Sequence, residues 1–390
     1  FDTLSITFIG GLCMKILALI TEYNPFHNGH IYHIEKAKAL TEPDVTIAIM
    51  SGNFTQRGEI AITDKFTRTE AALKHVDLVA ELPLLNAVSS ADDFARGGVH
   101  IADKLQATDL VFGSESGSID ALINAADESA LLEDSPEFNH LLKQGYSYPR
   151  AISALADSTL LSSPNDTLGI AYINALKESD SLIRPGTIKR IGNNYSDASL
   201  SSAEYSSATS LRAALFQGDT EQARKFMPES LINQMMDSHL ASNEDFYETL
   251  KTVILTRSAA ELKNIYMMTE GLEHRLKDKI RSADSYDAFL SAAKTKRYTW
   301  TRLSRLMIAI LLNITNDVMN QHMLTDSVRI LGMTKNGQQH LKSIDNVNII
   351  TNVNKKNRDL VSHEVTATEV YNTFTGGQKN DFNTPVIIVP

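Results

Sequence analysis

The sequence predicts an α/β protein with a doubly wound parallel sheet, followed by a mainly helical C-terminal region. Between residues 16 and 191, short apolar runs of strand length alternate with segments of helical periodicity, which is typical of parallel strands joined by crossover helices. After Gly218, glycines become few and helical periodicity prevails. We therefore predict a sheet-containing domain over residues 14–217 and a mostly helical domain over residues 218–390.

Five apolar runs are predicted as strands, because each is short and nearly continuous, as buried parallel strands are. They cover residues 16–20, 45–50, 76–82, 109–112 and 188–191. Helices follow from apolar positions spaced about 3.6 residues apart. The clearest are 30–38, 64–74, 91–104, 170–176, 259–265, 272–280 and 298–312.

Composition limits the classes of protein to consider. A net charge of −10 gives no overall attraction to nucleic acid, so any such contact needs a local basic patch. The single cysteine, Cys13, excludes an internal disulfide and predicts a cytoplasmic location. Residues 1–13 precede Met14 and lack a cationic start, so we interpret them as a non-native or upstream leader. The longest later apolar stretch, 306–312, is far below the ~20 residues that span a membrane.

The most informative stretch is ITEYNPFHNGHIYH, residues 20–33, which follows the first predicted strand. Pro25 disfavours helix for the residue before it, so strand and helix must be separated by a turn. Gly29 allows close approach of a ligand. His27 and His30 fall at the start of the helix, where free N–H groups and the helix dipole favour an anion. Residues 27–30, HNGH, match the H-x-G-H signature of HIGH-type nucleotidyltransferases. The alternative interpretation is a pair of surface histidines beside a turn.

Several later positions are weaker candidates. The loop over residues 51–58 carries Gly and Asn at the end of the second strand, where open α/β sheets bind ligands. Asn165 is either a ligand contact or a turn residue, and Arg190 is either a phosphate partner or a solvated rim residue. Ser210 and Arg212 resemble the triphosphate-binding element of HIGH-type enzymes, although hydroxyl residues at this point also cap helices.

Residues 257–305 form a basic region within an acidic chain, with eleven Lys or Arg against six Asp or Glu. Cations alternate with aromatic residues near its end, a mixture that suits phosphate contacts and stacking on exposed bases. The alternative is a solvated helix with a buried Trp300. The candidate nucleic-acid contacts are Lys294, Lys296, Arg297, Arg302 and Arg305.

The chain resembles the tRNA(Met) cytidine acetate ligase family through most of its length. The matching stretches are ITEYNPFHNGH (20–30), MSGNFTQRGE (50–59), FGSE (112–115), SSPNDTLG (162–169), SATSLR (207–212), EGLEHRL (270–276), KRYTWTRLSRL (296–306) and LGMTKNG (331–337). The first is the most specific, because it is much richer than a bare H-x-G-H. Two features depart from the family pattern: the leader, and Ala208 in place of a second consecutive hydroxyl.

The resemblance implies a Rossmann-like nucleotidyltransferase domain and a two-step reaction. ATP and acetate would form acetyl-adenylate and pyrophosphate, and the acetyl group would pass to N4 of the wobble cytidine in elongator tRNA(Met). Mg²⁺ would accompany ATP, with His27 and His30 as the catalytic pair and the basic region holding the tRNA. By the family pattern, the ATP-binding residues are Ile20, Thr21, Glu22, Tyr23, Asn24, Pro25, Phe26, His27, Asn28, Gly29, His30, Ile31, Tyr32, His33, Gly113, Asn165, Arg190 and Ile191, with Ser210 and Arg212 added from the superfamily pattern.

Two other functions share parts of this pattern. A small-molecule adenylyltransferase would use the first motif but leave the basic helices without a role. A non-catalytic RNA-binding protein would not need intact His27, Gly29 and His30. No sequence feature points to protein ligands for a metal ion, to an obligate protein partner or to a membrane.

Overall fold

The computed structural model describes residues 14–144, 146, 148–155, 160, 163–190, 206–295 and 297–390. The predicted leader over residues 1–13, the candidate ATP contact Ile191 and the candidate tRNA contact Lys296 lie outside the described residues.

One mixed sheet organises the described chain. Its strands are β1 (Ile16–Thr21), β2 (Val45–Ser51), β3 (Leu78–Leu82), β4 (Asp109–Ser114), β5 (Arg184–Lys189), β6 (Ser327–Thr334), β7 (Asn348–Ile350) and β8 (Ile387–Val389). The order is β5-β4-β1-β2-β3-β6-β7, with β8 beside β6. Strands β1 to β5 are parallel, β6 runs antiparallel to β3, and β7 and β8 run parallel to β6. The predicted parallel α/β sheet is confirmed.

Both faces of the sheet are covered at β1, which explains why this strand is a nearly continuous apolar run. In β1, Ile16 and Ala18 face one core, and Leu17 and Leu19 face the core on the opposite side. All four side chains are buried.

The fifth predicted strand is misplaced, because β5 covers Arg184–Lys189 and not 188–191. Pro185 and Gly186 resemble turn residues in the sequence. They are tolerated because β5 lies at the edge of the sheet, where a missing N–H breaks no ladder. The register places Gly113 opposite Ile188 and brings the end of β5 to the end of β4.

Helices fill the connections and most of the second half of the chain. They are α1 (Asn28–Thr41), α2 (Lys65–Ala72), α3 (Leu84–Ala87), α4 (Ala91–Lys104), α5 (Ile119–Glu133), α6 (Pro136–Lys143), α7 (Tyr148–Leu155), α8 (Pro164–Glu178), α9 (Ala208–Phe216), α10 (Thr220–Arg224), α11 (Glu229–Met236), α12 (Tyr247–Thr256), α13 (Ala259–Lys263), α14 (Leu272–Lys279), α15 (Tyr286–Ala293), α16 (Trp300–Leu311), α17 (Asn316–His322), α18 (Lys335–Lys342) and α19 (Ser362–Thr375). Helical turns of the 3-10 type lie at Asn243–Phe246 and Arg358–Val361.

The C-terminal region is mainly helical, as predicted, and it also returns to the sheet. Helices α12 to α16 enclose a core that includes Leu250, Phe289 and Leu306. Residues after α17 then supply β6, β7 and β8. These three strands were not predicted, and they join the second half of the chain to β3.

A cluster of buried charges connects the segment that carries β6, β7 and β8 to the first half of the chain. The Lys65 ammonium lies 2.8 Å from Glu81 and 3.0 Å from Asp381. Arg329 reaches the same Asp381 carboxylate at 3.4 Å and donates to the Ile350 carbonyl. Each buried charge therefore has a partner, as the low-dielectric interior requires.

Candidate active site

The connection from β1 to α1, residues 22–27, is built on buried side chains. Tyr23 and Phe26 are both buried, and their rings meet edge to face with centroids 4.8 Å apart. Asn24 Oδ1 accepts the N–H of Ile62 at 2.8 Å. These contacts fix the position of the connection and so the position at which α1 begins.

The first turn of α1 is capped by two histidine side chains. His27 Nδ1 accepts the N–H of Gly29 at 3.0 Å, and His30 Nδ1 accepts the N–H of His27 at 3.3 Å. The two rings stack with centroids 3.8 Å apart. Because each Nδ1 is an acceptor, this geometry assigns the proton of each neutral ring to Nε2. The pair therefore offers two N–H donors beside the start of a helix.

The histidines at this site are neutral at pH 7. Burial, together with the charges of Arg190 and Arg212, lowers the pKa of His27 to about 3. Burial and the neighbouring His27 and Arg190 hold the pKa of His30 well below its ordinary value. Burial and Arg190 lower the pKa of His33 to about 4. A neutral ring of this kind has one N–H with which to donate a hydrogen bond while carrying no charge.

A cavity of about 470 Å³ lies beside the histidine pair. It brings together most of the predicted ATP-binding residues: Ile20, Thr21, Glu22, Tyr23, Asn24, His27, Gly29, His30, Tyr32, His33, Gly113, Asn165, Arg190 and Arg212. The others that are described do not line it: Pro25, Phe26, Asn28, Ile31 and Ser210. The structure thus brings together predicted residues as far apart in the sequence as Ile20 and Arg212, at the carboxyl ends of neighbouring strands, where α/β sheets bind ligands.

One side of the cavity is formed at β4, β5 and α8. A Cβ on Gly113 would lie 3.4 Å from Arg190 Cγ, so a side chain there would crowd the arginine. Asn165 Nδ2 donates to Glu115 at 2.6 Å, and the Asp166 N–H donates to the same carboxylate at 2.9 Å. Glu115 thereby caps α8 and orients Asn165.

The segment 207–212, predicted to bind triphosphate, contributes some side chains to the cap of α9 and others to the cavity wall. Ser207 caps α9 by accepting the Ser210 N–H at 3.1 Å, and Ser207 lines the cavity. The Ser210 hydroxyl instead donates to the Ser207 carbonyl at 2.9 Å and is buried in the cap. Arg212 lines the cavity while donating to the Asn24 carbonyl at 2.9 Å and to Glu59 at 2.8 Å.

The loop after β2 adds Gln56 and Arg57 to the wall, and neither residue was among the predicted contacts. The Gln56 N–H donates to Glu22 Oε1 at 2.7 Å. The fully buried Arg68 donates to the carbonyls of Glu22, at 2.7 Å, and Ser51, at 3.0 Å. Arg68 thereby holds the ends of β1 and β2 together. The Gly and Asn of this loop signalled a ligand site, but no local pattern marks Arg68.

The candidate tRNA contacts differ in exposure, and Arg302 and Arg305 are half-buried. Lys294 and Arg297 are exposed. The Arg302 guanidinium lies 5.3 Å from the centre of the Tyr298 ring. Trp300 is 37% exposed, so the part of the alternative that expected a buried Trp300 is wrong.

Arg305 points toward the sheet-containing half of the chain. Its Nη1 donates to the Gln56 carbonyl at 3.3 Å, and burial lowers the pKa of its guanidinium to about 10. Thr301, one turn earlier in α16, lines the cavity. The basic helix therefore supplies part of the wall around the site.

Within the described ranges, no group of three or more His, Cys, Asp or Glu side chains could hold a metal ion. In the same part of the chain, no helix combines the length and the apolar character needed to cross a membrane.

The chain is similar to known proteins over nearly its whole length. Residues 14–384 match the family described as HIGH Nucleotidyl Transferase. A relative from Staphylococcus saprophyticus, named tRNA(Met) cytidine acetate ligase, is 44% identical over 96% of this chain and 100% of its own length. One of the same name from Staphylococcus carnosus is 42% identical over 96% of this chain and 99% of its own length.

Solved structures share the fold. The crystal structure of Thermotoga maritima TmcAL in its apo form I superposes with a TM-score of 0.88 and 33% identity, covering 96% of this chain and 100% of that one. The structure of TmcAL bound with alpha-thio ATP gives a TM-score of 0.85 and 32% identity, covering 96% and 99%. The likeness therefore includes both the sheet and the helical region.

Proposed function

We propose a function from the premise that this chain belongs to the tRNA(Met) cytidine acetate ligases, within the HIGH nucleotidyl transferase family. The chain is an ATP-dependent ligase. It joins acetate to the α-phosphate of ATP, releasing pyrophosphate, and transfers the acetyl group to N4 of the wobble cytidine of elongator tRNA(Met). The observation that carries this proposal is the stacked His27–His30 pair on the wall of a nucleotide-sized cavity.

The histidine pair acts in the first step by donating hydrogen bonds. As acetate attacks the α-phosphate, negative charge develops on phosphate oxygens, and fixed N–H donors stabilise it without reorganising. The Nε2–H groups of His27 and His30 supply two such donors, and the first turn of α1 adds its dipole. Neutral rings at this position need not lose a proton before the reaction. Arg190 and Arg212 supply positive charge on the same cavity wall.

The nucleoside binds at the β4, β5 and α8 side. The open backbone at Gly113, the amide of Asn165 and the main chain at Arg190 and Ile191 are the proposed contacts. Support comes from Gly113, Asn165 and Arg190, which line one cavity with the histidines. Ser210 contributes by shaping the cap of α9, because its hydroxyl is bonded within that cap.

Mg²⁺ accompanies ATP as its counter-ion. The residues fit this role because the described lining carries a single carboxylate, Glu22, with several basic groups. Triphosphate oxygens and water therefore supply most of the ligands, as is usual for Mg²⁺ in nucleotide sites. When bound, the ion offsets charge on the triphosphate.

The tRNA lies on the surface of the helical domain, residues 218–390, and activation takes place in residues 14–217. Lys294, Lys296, Arg297 and Arg302 contact its phosphates, and Arg305 joins that surface to the cavity. Support comes from the exposure of Lys294 and Arg297 and from the contact of α16 with the cavity. We place the enzyme in the cytoplasm, where tRNA is modified, with no membrane and no obligate protein partner.

The deciding experiment is ATP–pyrophosphate exchange with the purified chain, with and without acetate. Exchange that requires acetate supports the ligase, and mass spectrometry of tRNA(Met) incubated with enzyme, ATP and acetate should then find N4-acetylcytidine. Exchange that needs a different, phosphorylated metabolite would support the small-molecule adenylyltransferase instead. Absence of any exchange would leave only a nucleotide-binding or RNA-binding role.

A further inference from the structure

Glu22 differs in charge from the other charged side chains of this cavity. Among the cavity-lining residues that the structure describes, it is the sole acidic side chain; the charged lining residues otherwise are Arg57, Lys189, Arg190 and Arg212. Both small substrates are anions, ATP and acetate. A carboxylate in the same low-dielectric site weakens the binding of each. Its presence therefore fits a role in a step other than anion binding.

The strand order locates Glu22 along the cavity. Arg190 follows β5, Gly113 lies in β4, Glu22 follows β1, and Gln56 lies beyond β2. These four strands are consecutive neighbours in the sheet. With roughly 4.8 Å between neighbouring strands, the row spans on the order of 14 Å. Glu22 therefore lies between the proposed nucleoside side and the side reached by α16.

Hydrogen bonds connect Glu22 to the basic helix through the main chain of Gln56. Arg305 Nη1 donates to the Gln56 carbonyl at 3.3 Å, and the Gln56 N–H donates to Glu22 Oε1 at 2.7 Å. Thr301, from the same helix, lines the cavity. A nucleotide delivered from the tRNA surface on α16 would thus enter on the side where Glu22 stands.

We propose that the Glu22 carboxylate is the general base of the second step, taking a proton from N4 of the wobble cytidine as N4 attacks the acetyl carbonyl. This inference rests on the proposed function. The N4 lone pair forms the new C–N bond while the C–O bond to the α-phosphate breaks, and AMP leaves with that electron pair. The displaced N4 proton passes to Glu22. Because the N4 lone pair is delocalised into the pyrimidine ring, proton removal is needed for a useful rate.

The surroundings of Glu22 suit a base. Burial raises the pKa of this carboxyl, and the hydrogen bond from the Gln56 N–H and the charge of Arg57 oppose that rise. A carboxylate with a raised pKa binds a proton more strongly than an exposed one does. The charged and titratable groups that face it are Arg57, Glu59, Arg68, Tyr172 and Arg212.

The test compares the two steps in Glu22→Gln. Glutamine keeps an oxygen that can accept the Gln56 N–H, so the loop is retained while the base is lost. We measure acetate-dependent ATP–pyrophosphate exchange and single-turnover transfer from enzyme-bound acetyl-adenylate to a tRNA(Met) transcript. Transfer should fall at least ~100-fold more than exchange, the usual range for loss of a general base. The wild-type transfer rate should rise with pH along a limb of slope one that E22Q lacks.

Two further variants make the result specific. Glu22→Asp keeps a carboxylate and should retain the pH limb at a reduced rate. Glu59→Gln makes the same chemical change beside Arg212 but outside the cavity wall, and its two rates should move together. Equal losses of exchange and transfer in E22Q, or a raised Mg²⁺ requirement for exchange, would overturn the inference. Wild-type enzyme without acetate-dependent exchange would overturn the proposed function itself, and the inference with it.

Discussion

Gly58 packs directly against the backbone of Arg305: a Cβ at Gly58 would overlap the Arg305 amide nitrogen. Gly58 also has a φ of 72°, in the left-handed region. We predict that Gly58→Ala lowers the free energy of unfolding by on the order of 3 kcal/mol, the left-handed penalty plus the cost of moving a packed backbone.

Gly218→Ala is the matched control for this variant. Its φ is 78°, yet nothing lies within 4 Å of a Cβ there, so only the left-handed cost of about 1 kcal/mol applies. Urea unfolding of both variants measures the difference. Equal losses would mean that the loop after β2 can move away from α16 at little cost.

His30→Ala should reduce acetate-dependent ATP–pyrophosphate exchange by about 100-fold or more, because it removes one donor to the transition state. Binding of tRNA, measured by filter binding, should persist, since His30 lies in the nucleotide cavity. His239→Ala, at an exposed histidine paired with Asp245, should leave both readouts unchanged. Loss of tRNA binding together with exchange would indicate that His30 is structural.

His33 makes the stability of the fold depend on pH. Its folded pKa, about 4, is below the unfolded value of 6.5, so the unfolded state binds more protons between those values. The contribution of His33 to the free energy of unfolding is therefore fully present above pH 6.5 and is lost as the pH falls toward 4. Between pH 7 and 5 this one group costs at most about 2 kcal/mol.

The check is urea unfolding of wild type and His33→Gln at pH 7 and pH 5. The variant should lose less stability than wild type over this interval, because glutamine does not titrate. An identical pH dependence in both proteins would mean that His33 keeps an ordinary pKa in the folded state.

Lys296→Glu combined with Arg297→Glu should weaken binding of tRNA(Met). The slope of the logarithm of the binding constant against the logarithm of salt concentration should become less steep, by about one for each phosphate that is no longer neutralised. Acetate activation should continue. The matched control is Lys355→Glu combined with Lys356→Glu. These two consecutive lysines are exposed and lie outside the basic region. If acetate activation also fails in the first variant, the two steps do not use separable parts of the chain.

Asp381→Ala should be among the most destabilising single changes. It leaves the buried Lys65 and Arg329 short of a counter-charge, which costs roughly 3–5 kcal/mol in comparable buried pairs. Glu70→Ala removes the partner of Lys379 in a pair that is well exposed and should cost less than about 1 kcal/mol. Urea unfolding of the two variants should separate them clearly.

The sequence predicts those features that short stretches determine. The strand, the turn at Pro25 and the histidines at the start of α1 are encoded within twenty residues, and the structure has them in that order. Strand β5 is misplaced because Pro185 and Gly186 resemble a turn, and only its position at the sheet edge makes them acceptable.

Features that depend on distant partners could not be predicted in this way. Strand β6 pairs with β3 some 250 residues earlier, and no local pattern specifies that pairing. Arg68 lies on a helix, where a charged residue normally faces solvent, yet its guanidinium donates to the carbonyls of Glu22, just after β1, and Ser51, at the end of β2. Gln56 holds Glu22 through its main-chain N–H, and the identity of the Gln56 side chain does not predict such a contact.

The buried charge cluster also sets an order of events during synthesis. Lys65 leaves the ribosome 316 residues before Asp381 does. A chain that has emerged only through β5 lacks both Arg329 and Asp381, the later members of the buried cluster, and it lacks β6, the neighbour of β3. In such a chain β3 is an open sheet edge, a template for pairing with other chains, until β6 covers it.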